Sequence, residues 1–180
     1  MDEAYIDEAL RYARKAYHRV KNPEAYPGLV ERRKDQRKLF LWRYPSFAPY
    51  SSWSIFQEEN YYWIRRIEWN QRQRLPEHPD DIFDYGCEAL LANQVVNELL
   101  STLGAIAFRP FQKTKFQKAN LLILDGTAYG VEIENTWLSC RLEWRELPSD
   151  DWRPLMDWFE RAVMEFEQVL PTSPLRNHNQ

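Results

Sequence analysis

The spacing of apolar residues changes period along this chain, and each change marks a boundary between elements. Ile6, Leu10, Ala13, Tyr17 and Val20 recur at helical spacing and predict a helix over 2–20, with Asp2 placed to cap it. Arg11, Arg14, Lys15 and Arg19 fall mostly away from that stripe. Asn22–Pro23 ends the helix, because proline disfavours the α conformation in the residue before it. Pro23, Pro27–Gly28, Pro45 and Pro49 punctuate the next stretch. A short helix from Leu29 to about Leu41, or a loop, is expected there, exposed rather than in the core, since the charged run Glu31 to Lys38 has little apolar periodicity.

The period then falls to two. Ser52–Phe56 reads as a strand, Glu58 to Asn60 as a turn and 61–69 as a second strand, together a hairpin. Tyr61, Trp63, Arg65, Ile67 and Trp69 share one face of the second strand, and Tyr62, Ile64, Arg66 and Glu68 the other. Rings on both faces indicate a central strand covered on both sides. Residues 70–81 are a polar loop. A helix is expected over 81–103, capped by Asp80 or Asp81, with Ala89, Leu90, Val96, Leu99, Leu100 and Leu103 as its apolar face and Gly104 as a left-handed stop.

A short strand at 105–108 and a loop at 109–118 follow. Leu121–Leu124, the tight turn Asp125–Gly126, the alternation of Tyr129, Val131 and Ile133, a turn at Asn135–Thr136, and the alternation of Leu138, Cys140, Leu142 and Trp144 predict a three-stranded meander over 121–145. The last helix starts at Asp150 or Asp151 with Pro154 in its first turn. Its stripe, Leu155, Trp158, Phe159, Ala162, Val163, Phe166 and Leu170, is expected to pack on the meander. Pro171 ends it, and the polar tail 172–180 is expected to be disordered. The fold class expected is α+β: an antiparallel β-sheet of about five to six strands packed against N-terminal, central and C-terminal helices, in a single globular domain over 1–171.

Composition agrees with a folded chain, since 44% of its 180 residues are hydrophobic and 28% charged. Eight Trp, ten Tyr and nine Phe are more than a core of this size needs on average, so part of the set is available for a recognition surface. Cys87 and Cys140 sit in apolar patterns without a CxxC or Cys/His cluster, which favours free thiols in a reducing compartment over zinc. The acidic start Met1–Glu3 is unlike a secretory leader, and no apolar run approaches the roughly 18 residues that span a bilayer. A cytoplasmic location without membrane association is expected. The net charge of −3 hides a segregation: residues 11–43 carry eleven Lys or Arg against three Asp or Glu, and residues 125–180 five Arg against eleven Asp or Glu.

No glycine-rich phosphate loop, HExxH or EF-hand pattern occurs, and His18, His78 and His178 are scattered, so no cofactor and no catalytic residue is called for. The leading expectation is a non-enzymatic protein-interaction module of the adaptor, inhibitor or toxin-neutralising type. It rests on arginines alternating with rings at Trp63, Arg65, Arg66 and Trp69, residue types that dominate interface energetics. An alternative is nucleic-acid binding through Arg32, Arg33, Lys34, Arg37 and Lys38 together with Arg109, Lys113, Lys115 and Lys118, the last four flanking Phe111 and Phe116. A second alternative is a metal-dependent hydrolase or nuclease built on Asp125, Glu132 and Glu134. That set loosely resembles the PD-(D/E)xK nucleases, with Glu134 standing where their lysine is expected. Glu132 and Glu134 lie opposite Tyr129, Val131 and Ile133, and are expected to face solvent.

Overall fold

The computed structural model describes residues 3–71, 84–107, 126–134, 139–145 and 150–175. Helix α1 spans Glu3–Lys21, then strands β1 (Arg37–Pro45), β2 (Tyr50–Glu58), β3 (Tyr61–Trp69) and β4 (Asp84–Leu91) lead to helix α2 (Asn93–Gly104). Strands β5 (Thr127–Glu134) and β6 (Ser139–Arg145) and helix α3 (Arg153–Val169) complete the order. The six strands form one antiparallel sheet in the order β4-β3-β2-β1-β5-β6. The fold is α+β, with N-terminal, central and C-terminal helices as expected. Among the described residues no helix is long and apolar enough to cross a membrane.

One face of the sheet carries the core. Leu39, Leu41, Trp53, Ile55, Ile64, Cys87, Val131 and Trp144 meet the α3 stripe of Leu155, Trp158, Phe159, Ala162, Val163 and Phe166. Phe159 stands edge-on to Tyr129 and Trp144, which stack on each other 5.9 Å apart. The Trp158 indole N–H donates to the Leu99 carbonyl at 3.1 Å, which ties α3 to α2. α1 and the segment that follows it lie on the opposite face.

Several local expectations are corrected. The helix expected over 29–41 is instead a single 3₁₀ turn, Lys34–Gln36, followed by β1. Both faces of β1 carry large buried side chains, Leu39 and Leu41 on one and Phe40 and Trp42 on the other, so its apolar run hides the period-two alternation. Residues 84–91 of the helix expected over 81–103 form β4, because Cys87, Ala89 and Leu91 share one strand face and pair along β3. Gly104 is the last helical residue, not a left-handed cap; Ala105 closes α2 in the right-handed region. Residues 105–107 are not in a strand. Of the meander expected over 121–145, β5 and β6 pair antiparallel and β1 runs along the other edge of β5; its first strand, 121–124, lies outside the described residues. Trp152, not an Asp, precedes α3, after a 3₁₀ turn at Asp150–Trp152. Beyond α3, Ser173 and Leu175 are buried.

Candidate functional site: a groove along β1

The sheet face away from α2 and α3 is built in cross-strand rows. The register places Glu88, Arg65, Ser54, Phe40, Glu132 and Arg141 in one row and Gly86, Ile67, Ser52, Trp42, Gly130 and Glu143 in the next. Small residues in these rows let large ones lie flat. A Cβ at Gly130 would overlap the Trp42 ring, and one at Gly86 the Tyr26 ring.

Over β3 and β2 this face is closed by the second half of α1 and by residues 22–36. Arg65, fully buried, donates to Glu88 and to the carbonyls of Pro23, Glu24 and Val30. Arg32 donates twice to Glu88, at 2.9 and 2.6 Å, and once to Glu58 at 2.9 Å, with its guanidinium 5.0 Å from the Trp63 ring centre. Burial works against the Glu88 carboxylate, but hydrogen bonds from Arg32 and the charge of Arg65 outweigh it and hold its pKa below the ordinary value. Burial likewise pulls Arg65 down, while the bonds to Glu88 push Arg32 up; both remain cationic throughout the physiological range. Arg19 pairs with Asp84, which also accepts from the Tyr26 hydroxyl at 3.1 Å. Burial, then the charge of Asp84, raise the Tyr26 phenol.

Over β1, β5 and β6 the same face is open. A cleft of about 290 Å³ is bounded by Tyr17, Lys21 and Asn22 from α1 and its end, by Lys34 and Arg37, and by Phe40, Trp42, Tyr44, Glu132, Arg141 and Glu143 from the sheet. A second hollow of about 300 Å³ shares Tyr17, Tyr44 and Glu143 and continues to Ser46, Tyr50, Gly126 and Arg145. The linings of the two together run beside β1 from Arg37 to Ser46. At roughly 3.3 Å per residue this is a groove about 30 Å long.

Rings and guanidinium groups line it. Arg37 lies 4.8 Å from the Phe40 ring centre, Arg141 4.7 Å from that of Trp42, and the Lys21 ammonium 4.4 Å from that of Tyr17. Tyr44 stacks on Tyr50 at 4.8 Å, and Tyr17 touches Tyr44, Tyr50 and Trp69. Burial, then the neighbouring Tyr17, raise the phenols of Tyr44 and Tyr50. The floor is neutralised: Arg37 donates to Glu24 at 2.7 Å and to Glu132 at 2.6 Å, and Arg141 lies 3.5 Å from Glu132 and 3.4 Å from Glu143. The rim is not. Among the described residues Lys21, Lys34 and Arg145 have no acidic partner, and all three are exposed.

The residues singled out from the sequence are therefore redistributed. Of the basic run, Arg32 and Arg37 are buried in ion pairs rather than exposed; Arg33 pairs with Asp35 at 3.1 Å, and Lys34 and Lys38 remain at or near the surface. Arg65 and Arg66 are interior residues on opposite faces of β3, since neighbours in a strand point opposite ways. Arg66 bonds to Glu167 and to the Pro171 carbonyl. Trp63 and Trp69 are half-buried, the first under Arg32, the second edge-on to Tyr50. Glu132 is largely covered and Glu134 half-buried rather than free in solvent, with Arg37 2.6 Å from one and 3.9 Å from the other. Arg109, Lys113, Lys115, Lys118 and Asp125 lie outside the described residues, as do Phe111 and Phe116. Sequence reasoning missed Lys21, Arg141, Arg145, Tyr17 and Tyr44, which meet only once β1 pairs with β5. No known protein family, curated protein or solved structure matches the chain.

Proposed function

We propose that this chain is a non-enzymatic protein-interaction module that takes an extended, acidic segment of a partner protein in the groove along β1. The observation that supports this reading is the charge layout of the groove: a neutralised, ring-lined floor under three rim cations, Lys21, Lys34 and Arg145, that have no acidic partner among the described residues. Carboxylates spaced along an extended chain would meet those cations singly, while its apolar side chains cover Tyr17, Tyr44 and Tyr50.

Nucleic acid is the competing reading of the same groove, because its phosphates would meet the same rim cations, and Glu143 beside Arg141 and Arg145 works against either polyanion. The test is fluorescence anisotropy with two labelled probes of equal length and charge, an acidic peptide of alternating Glu and Tyr and a single-stranded RNA, at low and physiological salt. The peptide is expected to bind, and Lys21→Glu with Lys34→Glu to weaken it about tenfold or more. Tighter binding of the RNA, lost in the same variant, would replace this reading with nucleic-acid recognition. Absence of peptide binding at low salt would sink it.

A further inference from the structure

We infer that the protein self-associates through α1, two copies of the helix packing antiparallel about a two-fold axis near Leu10. The two halves of α1 differ in how they are covered. Ala16 and Val20 are buried against the sheet, whereas Ile6 is 42% and Leu10 50% exposed. Ile6, Leu10, Ala13 and Tyr17 form one row along the helix, so the uncovered part is a continuation of the stripe that packs the rest.

The charges beside that row identify the occupant. Asp7 flanks the row near the start of α1, and Arg14 and Lys21 flank it towards the end, while Glu8, Arg11, Lys15 and Arg19 lie round the far side of the helix. A partner laid on this face must be basic at one end and acidic at the other, in reverse order. A second copy running the opposite way has that layout, and a two-fold axis makes the contact self-complementary. Asp7 and Arg14 are seven residues apart and so lie on the same flank of the apolar row. In an antiparallel helix pair like flanks meet, and with the axis between Leu10 and Arg11 the Asp7 of one copy falls opposite the second copy's Arg14, twice by symmetry. Both side chains are exposed, and neither has an ionic partner among the described residues. The contact is small, so the dimer is weak and its population follows protein concentration. This inference does not depend on what the groove binds.

Sedimentation velocity of the full chain, from low to several hundred micromolar, reads the association directly. The wild type is expected to shift from monomer to dimer across that range. Asp7→Arg should raise the dissociation constant about tenfold or more by setting like charges opposite each other at two places. Asp7→Arg combined with Arg14→Asp should restore it, because the pair is re-formed with its signs exchanged. Leu10→Asp should abolish the dimer, with far-UV circular dichroism confirming that each variant keeps its helices. A wild type that stays monomeric throughout overturns the inference, as does a folded charge-exchanged variant that fails to recover association.

Discussion

Trp42 shows how much a single position settles in this protein. Its ring lies flat across Gly130 on the neighbouring strand, with Arg141 over it, and forms the floor of the groove. Gly130→Ala places a methyl group where the indole is, and strands paired on both sides leave the backbone little room to yield. The indole must turn out, at a cost of about 1–3 kcal/mol in stability. The urea midpoint is expected to fall and Trp emission to shift red. Gly104→Ala is the control: nothing lies within 4 Å of a Cβ there, so in a helix it should be neutral or stabilising by up to about 1 kcal/mol. At this scale the sequence is legible in part. A strand with rings on both faces implies that any charge in its middle is paired inside, which is the fate of Arg65 and Arg66. Glu68, two residues on along the same face as Arg66, is the local partner the alternation shows, 3.2 Å away; Glu88 and Glu167 are 23 and 101 residues away, and no local pattern announces them.

Among the elements, those with a local signal were readable. α1 and α3 were predicted close to their observed bounds because a stripe against solvent leaves a clean period, and the β2–β3 hairpin because the polar turn Glu58 to Asn60 separates its strands. β1 and β4 were misread as helix because large buried side chains on both faces of β1, and a helix following β4 directly, blur that period. The segment 22–36 has no apolar stripe at all. It is held to the sheet by charge, with Glu88 as the common acceptor of Arg32 and Arg65. Glu88→Gln leaves two buried guanidinium groups short of their counter-charge and should cost about 3–5 kcal/mol. The pH dependence has a definite sign. Because the folded state holds Glu88 below its ordinary value of 4.5, its contribution is complete above that pH and is lost as pH falls through the lower folded value. Urea unfolding between neutral and acid pH should show this decline below about 4.5 in the wild type and a shallower one in Glu88→Gln. Equal slopes in the two proteins would assign the acid sensitivity to other carboxylates.

For the molecule as a whole, the two sheet faces are stabilised by different means, and this predicts the order in which it opens. The α2–α3 face is a continuous apolar core in which Trp158, Phe159, Ala162 and Phe166 are fully buried. The α1 face is held by ion pairs, tilted rings and two small buried α1 side chains, Ala16 and Val20. Apolar area sets the greater part of the opening free energy, at roughly 25 cal/mol per Å². α1 and residues 22–36 should therefore open sub-globally while the sheet and α3 stay closed. Native-state hydrogen exchange is expected to give amides of α1 between Ile6 and Arg14 the lowest protection in a helix, those of α1 near Val20 an intermediate level, and those of α3 from Trp158 to Phe166 the global value. Raising the protein concentration should slow exchange in the first half of α1 and leave α3 unchanged, because association through Leu10 adds cover only there. An acidic peptide in the groove should instead protect β1, β5 and the end of α1 near Lys21. The two sets of amides do not overlap, so one experiment separates self-association from partner binding, and uniform protection along α1 at every concentration would contradict the division of the molecule into a strong face and a weak one.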